Sequence, residues 1–363
     1  MNCGWLSTAI AALAMAPYAV RVLGWRRGWN NLRTTRGSVK ASELTVVIPA
    51  RNASQSIALL LGDLAAQSQA VAQVIVVDDQ SSDRTSQTVE DAINGQPTFE
   101  IIASEGVGKK AALITGVGQA DTTWVATLDA DVRLGPEWSR AMCASIQPAT
   151  VLLIGPVRLG PTANFFDALQ SLDYAAMMGW AAATAGRGRA EMASGANLVF
   201  RRSNYPVAGL RCELASGDDA FALEAVANSH GHSSIHWAHD PAAGVSTPAA
   251  RSFKAWWQQR IRWGGKARHY RSSSLLFTAL IVWTASAAQL ALLLVWPAAG
   301  LQAIALKATV DLAFTRPVAR WFTLPAARRP GVWLALILLH PWAIILPGLG
   351  SIFQRPTWKG RKI

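Results

Sequence analysis

The fold of this chain is indicated most clearly by one run, Val74-Ile-Val-Val-Asp78-Asp79-Gln-Ser-Ser-Asp83-Arg-Thr85. Its apolar, β-branched start predicts a buried strand, and the acidic pair follows where that strand ends. Ser82 or Asp83 is suited to cap a following helix, which leaves Asp78 and Asp79 without a structural task. The run therefore predicts a strand, an acidic edge and a helix in direct succession.

Strands and helices alternate around this run. Strands are predicted over 44–48, 74–77, 99–103 and 124–128, and helices over 54–67, 83–94 and 109–119. This alternation predicts an α/β fold with a mostly parallel, Rossmann-like sheet covered on both faces. Ligands of such sheets bind beyond the carboxyl ends of the strands, where Asp78, Asp79, Asp129 and Asp131 would lie.

Charge is divided unevenly along the 363 residues. Residues 41–250 hold 12 basic and 21 acidic side chains, whereas the two flanks together hold 22 basic and 1 acidic. Only four of the 16 Trp lie in the acidic middle. A domain that binds nucleic acid would carry the basic charge itself, so no nucleic-acid partner is expected. Basic, Trp-rich flanks beside apolar segments predict contact with a membrane bilayer.

The apolar flanks predict an integral protein of the inner or plasma membrane. Residues 5–20 precede a group of arginines and follow no basic residue, so they read as a signal anchor rather than a cleaved signal peptide. The positive-inside rule then places the catalytic domain in the cytoplasm. Further spans are predicted near 275–296 and 298–314, and a re-entrant segment over 332–349, which Pro341 and Pro347 interrupt.

These segments divide the chain into an anchor with a basic linker (1–40), a catalytic domain (41–271) and a membrane region with a basic tail (272–363). Lys307 and Asp311 lie four residues apart in an apolar stretch, so they must pair or face protein. The odd set Cys3, Cys143 and Cys212 has no metal spacing and predicts free thiols.

Asp129-Ala-Asp131 follows the strand over 124–128. Two carboxylates on one side of the pleat suit one hard divalent cation, Mg²⁺ or Mn²⁺, with open positions for diphosphate oxygens. The alternative is an acidic turn, because Asp favours loops after strands. Asp218 and Asp219 have a similar alternative as the N-cap of a helix.

Two basic groups also admit two readings. Gly106-Val-Gly108-Lys109-Lys110 precedes a helix, where glycines and lysines suit a phosphate but also a simple turn. Arg260 and Arg262 suit a diphosphate, but basic residues beside a membrane span need no further role. His230, His232, His236 and His239 would suit zinc, but no cysteine or carboxylate completes a ligand spacing.

Seven stretches follow one another from residue 44. They are Val46-Val-Ile-Pro49-Ala-Arg51-Asn52, Val76-Val-Asp78-Asp79-Gln-Ser-Ser-Asp83-Arg-Thr85, Gly108-Lys109-Lys-Ala-Ala-Leu113, Leu128-Asp129-Ala-Asp131, Ser194-Gly195-Ala196-Asn197-Leu-Val-Phe-Arg201, Gly217-Asp218-Asp219 and Gln259-Arg-Ile-Arg262-Trp263. In this order they resemble a membrane-bound family 2 glycosyltransferase of the inverting GT-A type. That group includes ceramide and carotenoid glycosyltransferases and, more distantly, cellulose and hyaluronan synthases. The closing Trp358-Lys-Gly-Arg361 resembles the tail of smaller lipid-modifying members.

The resemblance implies a GT-A domain and a nucleotide sugar as donor, with a UDP-sugar expected. The donor would be held by residues of the first four stretches, namely Pro49, Ala50, Arg51, Asn52, Asp78, Asp79, Lys109 and Asp129. Asp129 and Asp131 would bind the metal, and Asp79 would contact the nucleoside. Ala53 departs from the pattern, because many relatives have an acidic residue after the Arg-Asn pair.

The later stretches are implied to serve the acceptor. Asp219 would be the general base that takes the acceptor proton, with Asp218 as the alternative. Gly195, Ala196 and Asn197 would line the acceptor side. Gln259, Arg262 and Trp263 would close over the diphosphate and the acceptor mouth. One displacement would invert the anomeric centre.

The small membrane part favours transfer of one sugar to a lipid or lipid-linked acceptor. A processive polysaccharide synthase normally needs more helices to enclose a channel. A sugar transferase acting on a polyprenyl phosphate uses the same fold but should not need Gln259-x-x-Arg262-Trp263. A non-catalytic membrane scaffold should have lost a carboxylate, and none is missing.

Overall fold

A computed structural model describes residues 3–214, 216–354, 357–358 and 361–362. They form two compact units. The sheet unit comprises Leu32–Gly160, Thr184–Pro248 and Thr357–Ile363, and the helical unit comprises Met1–Asn31, Pro161–Ala183 and Ala249–Pro356. The predicted boundaries at 40 and 271 differ from these, because 161–183 and 249–271 pack within the helical unit. Lys359 and Gly360 of the predicted tail motif lie outside the described residues.

The strands lie in the sheet unit. They are β1 (Leu44–Ala50), β2 (Gln73–Asp78), β3 (Phe99–Ala103), β4 (Trp124–Leu128), β5 (Arg133–Leu134), β6 (Leu152–Ile154), β7 (Val157–Leu159), β8 (Asn197–Arg201), β9 (Ile235–Trp237), β10 (Val245–Thr247), β11 (Thr357–Trp358) and β12 (Arg361–Lys362). The main sheet has the order β3-β2-β1-β4-β8-β6-β9. Strands β1 to β4 are parallel, and β8 runs antiparallel to β4 and β6. Smaller sheets have the orders β5-β10-β7 and β11-β12.

In the sheet unit, helices follow the parallel strands β1, β2 and β3, and two further helices follow β5 and β8. They are α2 (Ile57–Ala65), α3 (Thr85–Ile93), α4 (Lys109–Gln119), α5 (Trp138–Ala144) and α7 (Asp218–His230). Helix α4 packs closely on β1, since a Cβ added at Gly116 would lie 2.4 Å from a Val47 methyl carbon. The buried β-branched residues of β1 and β2 explain why these runs form central strands.

The predicted elements of the sheet are confirmed, including β3, β4 and α4 at the predicted residues. Helix α2 is shorter than predicted, because Ala53 and Ser56 form a turn before it in which the Ser56 amide donates to the Ala53 carbonyl. The carboxyl ends of β1, β2 and β4 share one edge of the sheet, and Asn197 at the start of β8 lies opposite Leu128. This edge carries the predicted site.

The helical unit contains the long helices. They are α1 (Cys3–Asn30), α6 (Phe165–Ala185, of which 165–183 belong to this unit), α8 (Phe253–Gly265), α9 (Ser273–Val295), α10 (Pro297–Trp321) and α11 (Pro330–Phe353). Helix α6 packs closely against α10 at Gly179, because a Cβ added there would lie 2.7 Å from a Val318 methyl carbon. Trp25 of α1 contacts Trp180 and Phe314, with ring centroids 5.6 and 5.8 Å away.

Three helices are long and apolar enough to cross a membrane, namely Gly4–Asn30, Ser273–Val295 and Pro330–Phe353. They make the chain a membrane protein. The predicted span near 298–314 lies in α10, which is not among these three candidate spans. This helix carries Lys307, Asp311 and a basic last turn. The predicted re-entrant segment over 332–349 is part of one continuous helix, α11, despite Pro341 and Pro347.

Charged groups inside the helical unit occur in pairs. Lys307 Nζ lies 2.6 Å from Asp311 Oδ2, and Tyr18 Oη donates to Asp311 Oδ1 at 2.6 Å. Arg260 of α8 forms an ion pair with Asp173 of α6, with 11% and 13% of the two side chains exposed. Pairing is what buried charges require, because an isolated ion away from water is very unfavourable.

Candidate active site

Lys109 binds two of the predicted carboxylates at the edge of the sheet. It is the first residue of α4, and its Nζ lies 2.7 Å from Asp129 Oδ1 and 2.6 Å from Asp218 Oδ2. Asp129 follows β4 and Asp218 begins α7, so one ammonium joins three elements of the sheet unit. We call Lys109, Asp129, Asp131 and Asp218 the carboxylate cluster.

The carboxylate cluster has a surplus of negative charge. Two carboxylates pair with the one ammonium, and a third, Asp131, is exposed to solvent. Burial by itself would lower the pKa of Lys109, but the charges and hydrogen bonds of Asp129 and Asp218 outweigh it and raise that pKa. Burial raises the pKa of Asp129, and the charges of Asp131 and Asp218 raise it further against the opposing effect of Lys109. The cluster is therefore suited to a further cation.

Asp129 and Asp131 fit a divalent metal ion by their chemistry. Both offer carboxylate oxygens, the ligands that Mg²⁺ and Mn²⁺ prefer, and about a third of the Asp129 side chain is exposed, at 35%. Among the described residues there is no group of three or more His, Cys, Asp or Glu that could hold a metal on its own. Any cation here would complete its coordination with oxygens from elsewhere, as a metal diphosphate provides.

Gly195 makes room for the carboxylate cluster. A Cβ at this position would lie 2.6 Å from Asp218 Oδ2 and 3.2 Å from Lys109 Nζ. Both atoms end flexible side chains, so a larger residue would displace the Lys109–Asp218 pair rather than block folding. The predicted acceptor-side residue thus contacts the cluster directly.

The two residues that follow Gly195 are buried. Ala196 is 4% exposed and Asn197 is fully buried. Asn197 Nδ2 donates to the Pro156 and Ala243 carbonyls, both at 3.0 Å, and its Oδ1 accepts from Trp138 Nε1 at 3.2 Å. These bonds join β8 to two loops, so the structure gives Asn197 a supporting position beneath the site.

Asp78 and Asp79 face different surroundings at the end of β2. Asp79 is 1% exposed, and its Oδ1 accepts from the Gly108 amide at 2.8 Å. Asp78 is half-buried and accepts from the Ser81 amide at 3.2 Å. Asp79 therefore fixes the glycine turn that begins α4, where Gly108 has a φ of +100° that favours glycine.

Arg51 and Asn52 connect two neighbouring loops, after Pro49 and Ala50 end β1. Arg51 Nη1 donates to the Asp79 carbonyl at 2.7 Å. Asn52 has a φ of +47°, a left-handed conformation that Asn tolerates, and its Oδ1 accepts from the Ser82 amide at 2.8 Å. The predicted nucleoside-binding turn is thus tied to the loop that follows β2.

The acidic pair at the start of α7 is divided. Gly217 precedes it with a φ of +93°, and Asp218 turns toward Lys109. Asp219 is half-buried and its Oδ1 accepts from the Ala220 amide at 2.7 Å. The two carboxylates are adjacent in sequence, and Asp218 pairs with Lys109 while Asp219 accepts from the backbone of its own helix.

The Gln259, Arg262 and Trp263 motif lies on α8 in the helical unit, where all three side chains are half-buried. The Trp263 ring lies 6.4 Å from that of Tyr174, and the Arg260 guanidinium lies 5.0 Å from its centroid. Arg260 in turn pairs with Asp173. The motif is therefore anchored by a charged residue that lies between its named members.

The histidines have individual partners. His236 Nδ1 lies 2.7 Å from Thr150 Oγ1, and His230 Nε2 lies 3.3 Å from Asn204 Nδ2. Burial lowers the pKa of His236. Cys143 and Cys212 are free thiols, as predicted, and the side chain of Cys3 lies outside the described set.

Two charged residues with clear structural roles were missed in the sequence. Lys110 is 4% exposed, but the pair Lys109-Lys110 gave no indication of which lysine faces inward. Asp173 had a usable signal, because it interrupts the apolar, helical run Phe165–Ala185. A charge in such a run predicts a buried partner.

Comparison with known proteins agrees with this architecture. Residues 45–204 match the sequence profile of Glycosyl transferase family 2. The structure is similar to that of a mannosyltransferase from Pyrobaculum calidifontis solved in complex with GDP-Man and Mn²⁺, with a TM-score of 0.56 and 19% identity over 93% of this chain and 99% of that one. This likeness confirms the predicted GT-A fold with added helices.

Curated relatives include two proteins named undecaprenyl-phosphate 4-deoxy-4-formamido-L-arabinose transferase. The Proteus mirabilis protein is 35% identical over 27% of this chain and 32% of its own length. The Yersinia enterocolitica protein is 32% identical over 28% of this chain and 32% of its own length. The chain thus spans about a third of the length of the curated relatives it matches.

Proposed function

We propose that this chain, which carries a glycosyl transferase family 2 domain over residues 45–204, transfers one sugar from a nucleotide sugar to a membrane-embedded lipid-type acceptor. The observation that carries the proposal is the carboxylate cluster at the carboxyl edge of the sheet. Its Lys109 Nζ lies 2.7 and 2.6 Å from two carboxylates, and its charge remains negative. Such a site suits a metal diphosphate.

The donor would bind with Mg²⁺ or Mn²⁺ held by Asp129 and Asp131. When bound, the cation supplies charge neutralisation for the leaving diphosphate. Lys109 would then lie beside the nucleotide and neutralise further phosphate charge. The solved mannosyltransferase of similar fold was complexed with a nucleotide sugar and Mn²⁺, which supports this donor class.

The nucleoside would lie against the turn formed by Pro49, Ala50, Arg51 and Asn52. We assign the nearby acidic contact to Asp78 because Asp79 is 1% exposed and already accepts the Gly108 amide. Asp79 then acts by positioning the glycine turn. A UDP-sugar remains the expected donor.

Asp219 is proposed as the general base. A carboxylate paired with an ammonium holds a proton weakly, and Asp218 lies 2.6 Å from Lys109 Nζ. A carboxylate beside the acceptor hydroxyl can take its proton as the new bond forms, and the family resemblance assigns that role to Asp219. Attack from the face opposite the diphosphate would invert the anomeric carbon.

The acceptor would meet this base near Gly195, Ala196 and the supporting Asn197. Gln259, Arg262 and Trp263 would close over the diphosphate, with Arg262 adding positive charge. Basic residues of the two flanks favour the cytoplasmic side of the membrane for the sheet unit. A membrane-embedded lipid fits a chain with three candidate spans.

A polyprenyl phosphate is a second candidate acceptor, because curated relatives are named as undecaprenyl-phosphate sugar transferases; these names fit both acceptors, since both are lipid-linked. The two candidates differ in their need for a base. A lipid hydroxyl must lose its proton, whereas a phosphate monoester, with a second pKa of about 6, is already largely ionised at pH 7. Asp219→Asn should therefore abolish transfer to a hydroxyl and leave transfer to a phosphate much less affected.

The test uses the purified chain in lipid nanodiscs with Mn²⁺ and a panel of labelled nucleotide sugars. Mass spectrometry of the extracted lipids should find a product heavier than one lipid by one sugar. A mild-acid-labile product would identify the phosphate acceptor. Long polysaccharide would indicate a processive synthase and overturn single transfer, and no product with any donor would overturn the proposed activity.

A further inference from the structure

The second lysine of α4 is buried beside the loop that leads to the acidic pair. Lys110 is 4% exposed, and its Nζ donates to the Arg211 carbonyl at 2.9 Å and to the Leu214 carbonyl at 2.7 Å. The same Nζ lies 4.8 Å from the centroid of the Phe221 ring. Lys110 thus contacts the loop and the first turn of α7 at once.

This loop carries a strained residue. Arg211 has a φ of +53°, an uncommon conformation for a residue other than glycine. Its guanidinium lies 4.7 Å from the Phe221 centroid and 3.4 Å from Glu224 Oε2. Strained backbone persists only where surrounding contacts determine it, and Lys110 supplies two hydrogen bonds to this loop.

A buried lysine is a costly way to fill a core position. Its ammonium must be hydrogen-bonded, and a methionine would fill similar space without that requirement. The chain instead uses the charge to fix two carbonyl groups shortly before Asp218 and Asp219. Lys109 contacts the Asp218 side chain at 2.6 Å, so the first two residues of α4 contact the start of α7 in two ways.

We infer that Lys110 is a positioning residue for the acidic pair at the start of α7. Its hydrogen bonds set the backbone of residues 211–214 and thereby the place of Asp218 and Asp219 at the carboxylate cluster. Lys110 would act through this loop rather than on the reacting groups. This inference rests on the proposed function only for its kinetic consequence, because the order of the loop can be measured directly.

The test compares Lys110→Met, which retains an apolar stem, with Lys110→Arg, which retains the charge and donors. Lys40→Met is the matched control, since Lys40 is an exposed lysine of the same unit. Hydrogen–deuterium exchange of the full chain in nanodiscs should become faster in residues 206–222 of Lys110→Met, with β1 to β4 unchanged. Lys110→Arg should restore part of the protection, and the control should match the wild type.

In sugar transfer, Lys110→Met should lower kcat on the order of 10- to 100-fold, because a small misplacement of a base is costly, while KM for the donor stays within about twofold. Unchanged exchange in 206–222, or exchange that rises equally throughout the sheet unit, would overturn the inference. So would a kcat equal to that of the wild type. If Lys110→Met does not fold, Lys110→Arg against Lys110→Gln provides the same comparison. A wild type without transfer activity would contradict the proposed function, while the exchange result would still decide the role of Lys110.

Discussion

Charge is balanced in the buried ion pairs of the helical unit and unbalanced in the carboxylate cluster of the sheet unit. In the helical unit, Asp173 pairs with Arg260, and Asp311 pairs with Lys307 at 2.6 Å. In the carboxylate cluster of the sheet unit, Asp129 and Asp218 share Lys109, and the charge of Asp131 acts on Asp129. Balanced pairs stabilise the packing of helices and need no ligand. An unbalanced cluster at the edge of a sheet is suited to bind a cationic ligand.

The largest effect is expected where a balanced pair is broken. Arg260→Gln or Asp173→Asn should each lower the free energy of unfolding by up to about 3–5 kcal/mol, because an uncompensated charge or donor stays buried. The exchanged pair, Asp173→Arg with Arg260→Asp, should recover part of this loss. Thermal unfolding in nanodiscs measures both. A double variant no more stable than the single ones would show that the pair does not hold α6 to α8.

Removal of a carboxylate from the cluster should act on turnover instead. Asp131→Asn should lower transfer by about 10²- to 10³-fold, because it removes charge stabilisation of the leaving diphosphate. Its unfolding temperature should stay near that of the wild type, since Asp131 is exposed. Asp121→Asn is the matched control, as Asp121 is exposed before the same strand. Equal activity of the two variants would contradict a role for Asp131.

A smaller change at the cluster should displace the acidic side chain without altering charge. Gly195→Ala places a Cβ where Asp218 Oδ2 would lie 2.6 Å away. We expect kcat to fall on the order of tenfold with a smaller rise in donor KM, because the added Cβ crowds Asp218 Oδ2 more closely than Lys109 Nζ, which lies 3.2 Å away. Gly118→Ala is a suitable control, since nothing lies within 4 Å of a Cβ added there. Steady-state kinetics with a varied donor would distinguish a fall in kcat from a loss of donor affinity.

The smallest effect is expected for Asp83, which belongs neither to the ion pairs of the helical unit nor to the carboxylate cluster. Partial burial would raise the pKa of Asp83, but hydrogen bonds from Thr85 and Ser54 outweigh it and lower that pKa below its ordinary 3.8. The stabilisation is therefore present above the ordinary pKa and is lost as pH falls through the lower, folded value. Asp83→Asn should flatten the decline of unfolding temperature below about pH 4. An equally steep decline in the variant would show that Asp83 does not contribute to the loss of stability at acid pH.

Much of the secondary structure of the sheet unit could be predicted from the sequence. Val74–Val77 and Trp124–Leu128 are short apolar runs bounded by acidic or glycine-rich turns, so strand and edge could be assigned together. The positions of Asp129 and Asp218 at one cluster could be expected from the fold that the motifs indicate. The direction of each side chain could not, because Asp78 and Asp79, or Lys109 and Lys110, differ only in their orientation after folding.

The helical unit was less predictable. Apolar composition identified α1, α9 and α11, but it did not show that Pro341 and Pro347 lie within one continuous helix. The sequence favoured a re-entrant segment because basic stretches flank it on both sides, and prolines usually interrupt a helix. The association of α6 and α8 with this unit depends on long-range contacts such as Asp173 with Arg260, which lie 87 residues apart. Local periodicity carries no information about such pairs.

We expect a divalent cation that arrives with the donor diphosphate to neutralise the surplus negative charge of the carboxylate cluster. Isothermal titration of the full chain in nanodiscs with a nucleoside diphosphate, in the presence of Mn²⁺ and then of a chelator, measures this directly. Binding should be at least about tenfold tighter with Mn²⁺, and this difference should be lost in Asp131→Asn. Equal affinity with Mn²⁺ and with the chelator would contradict it.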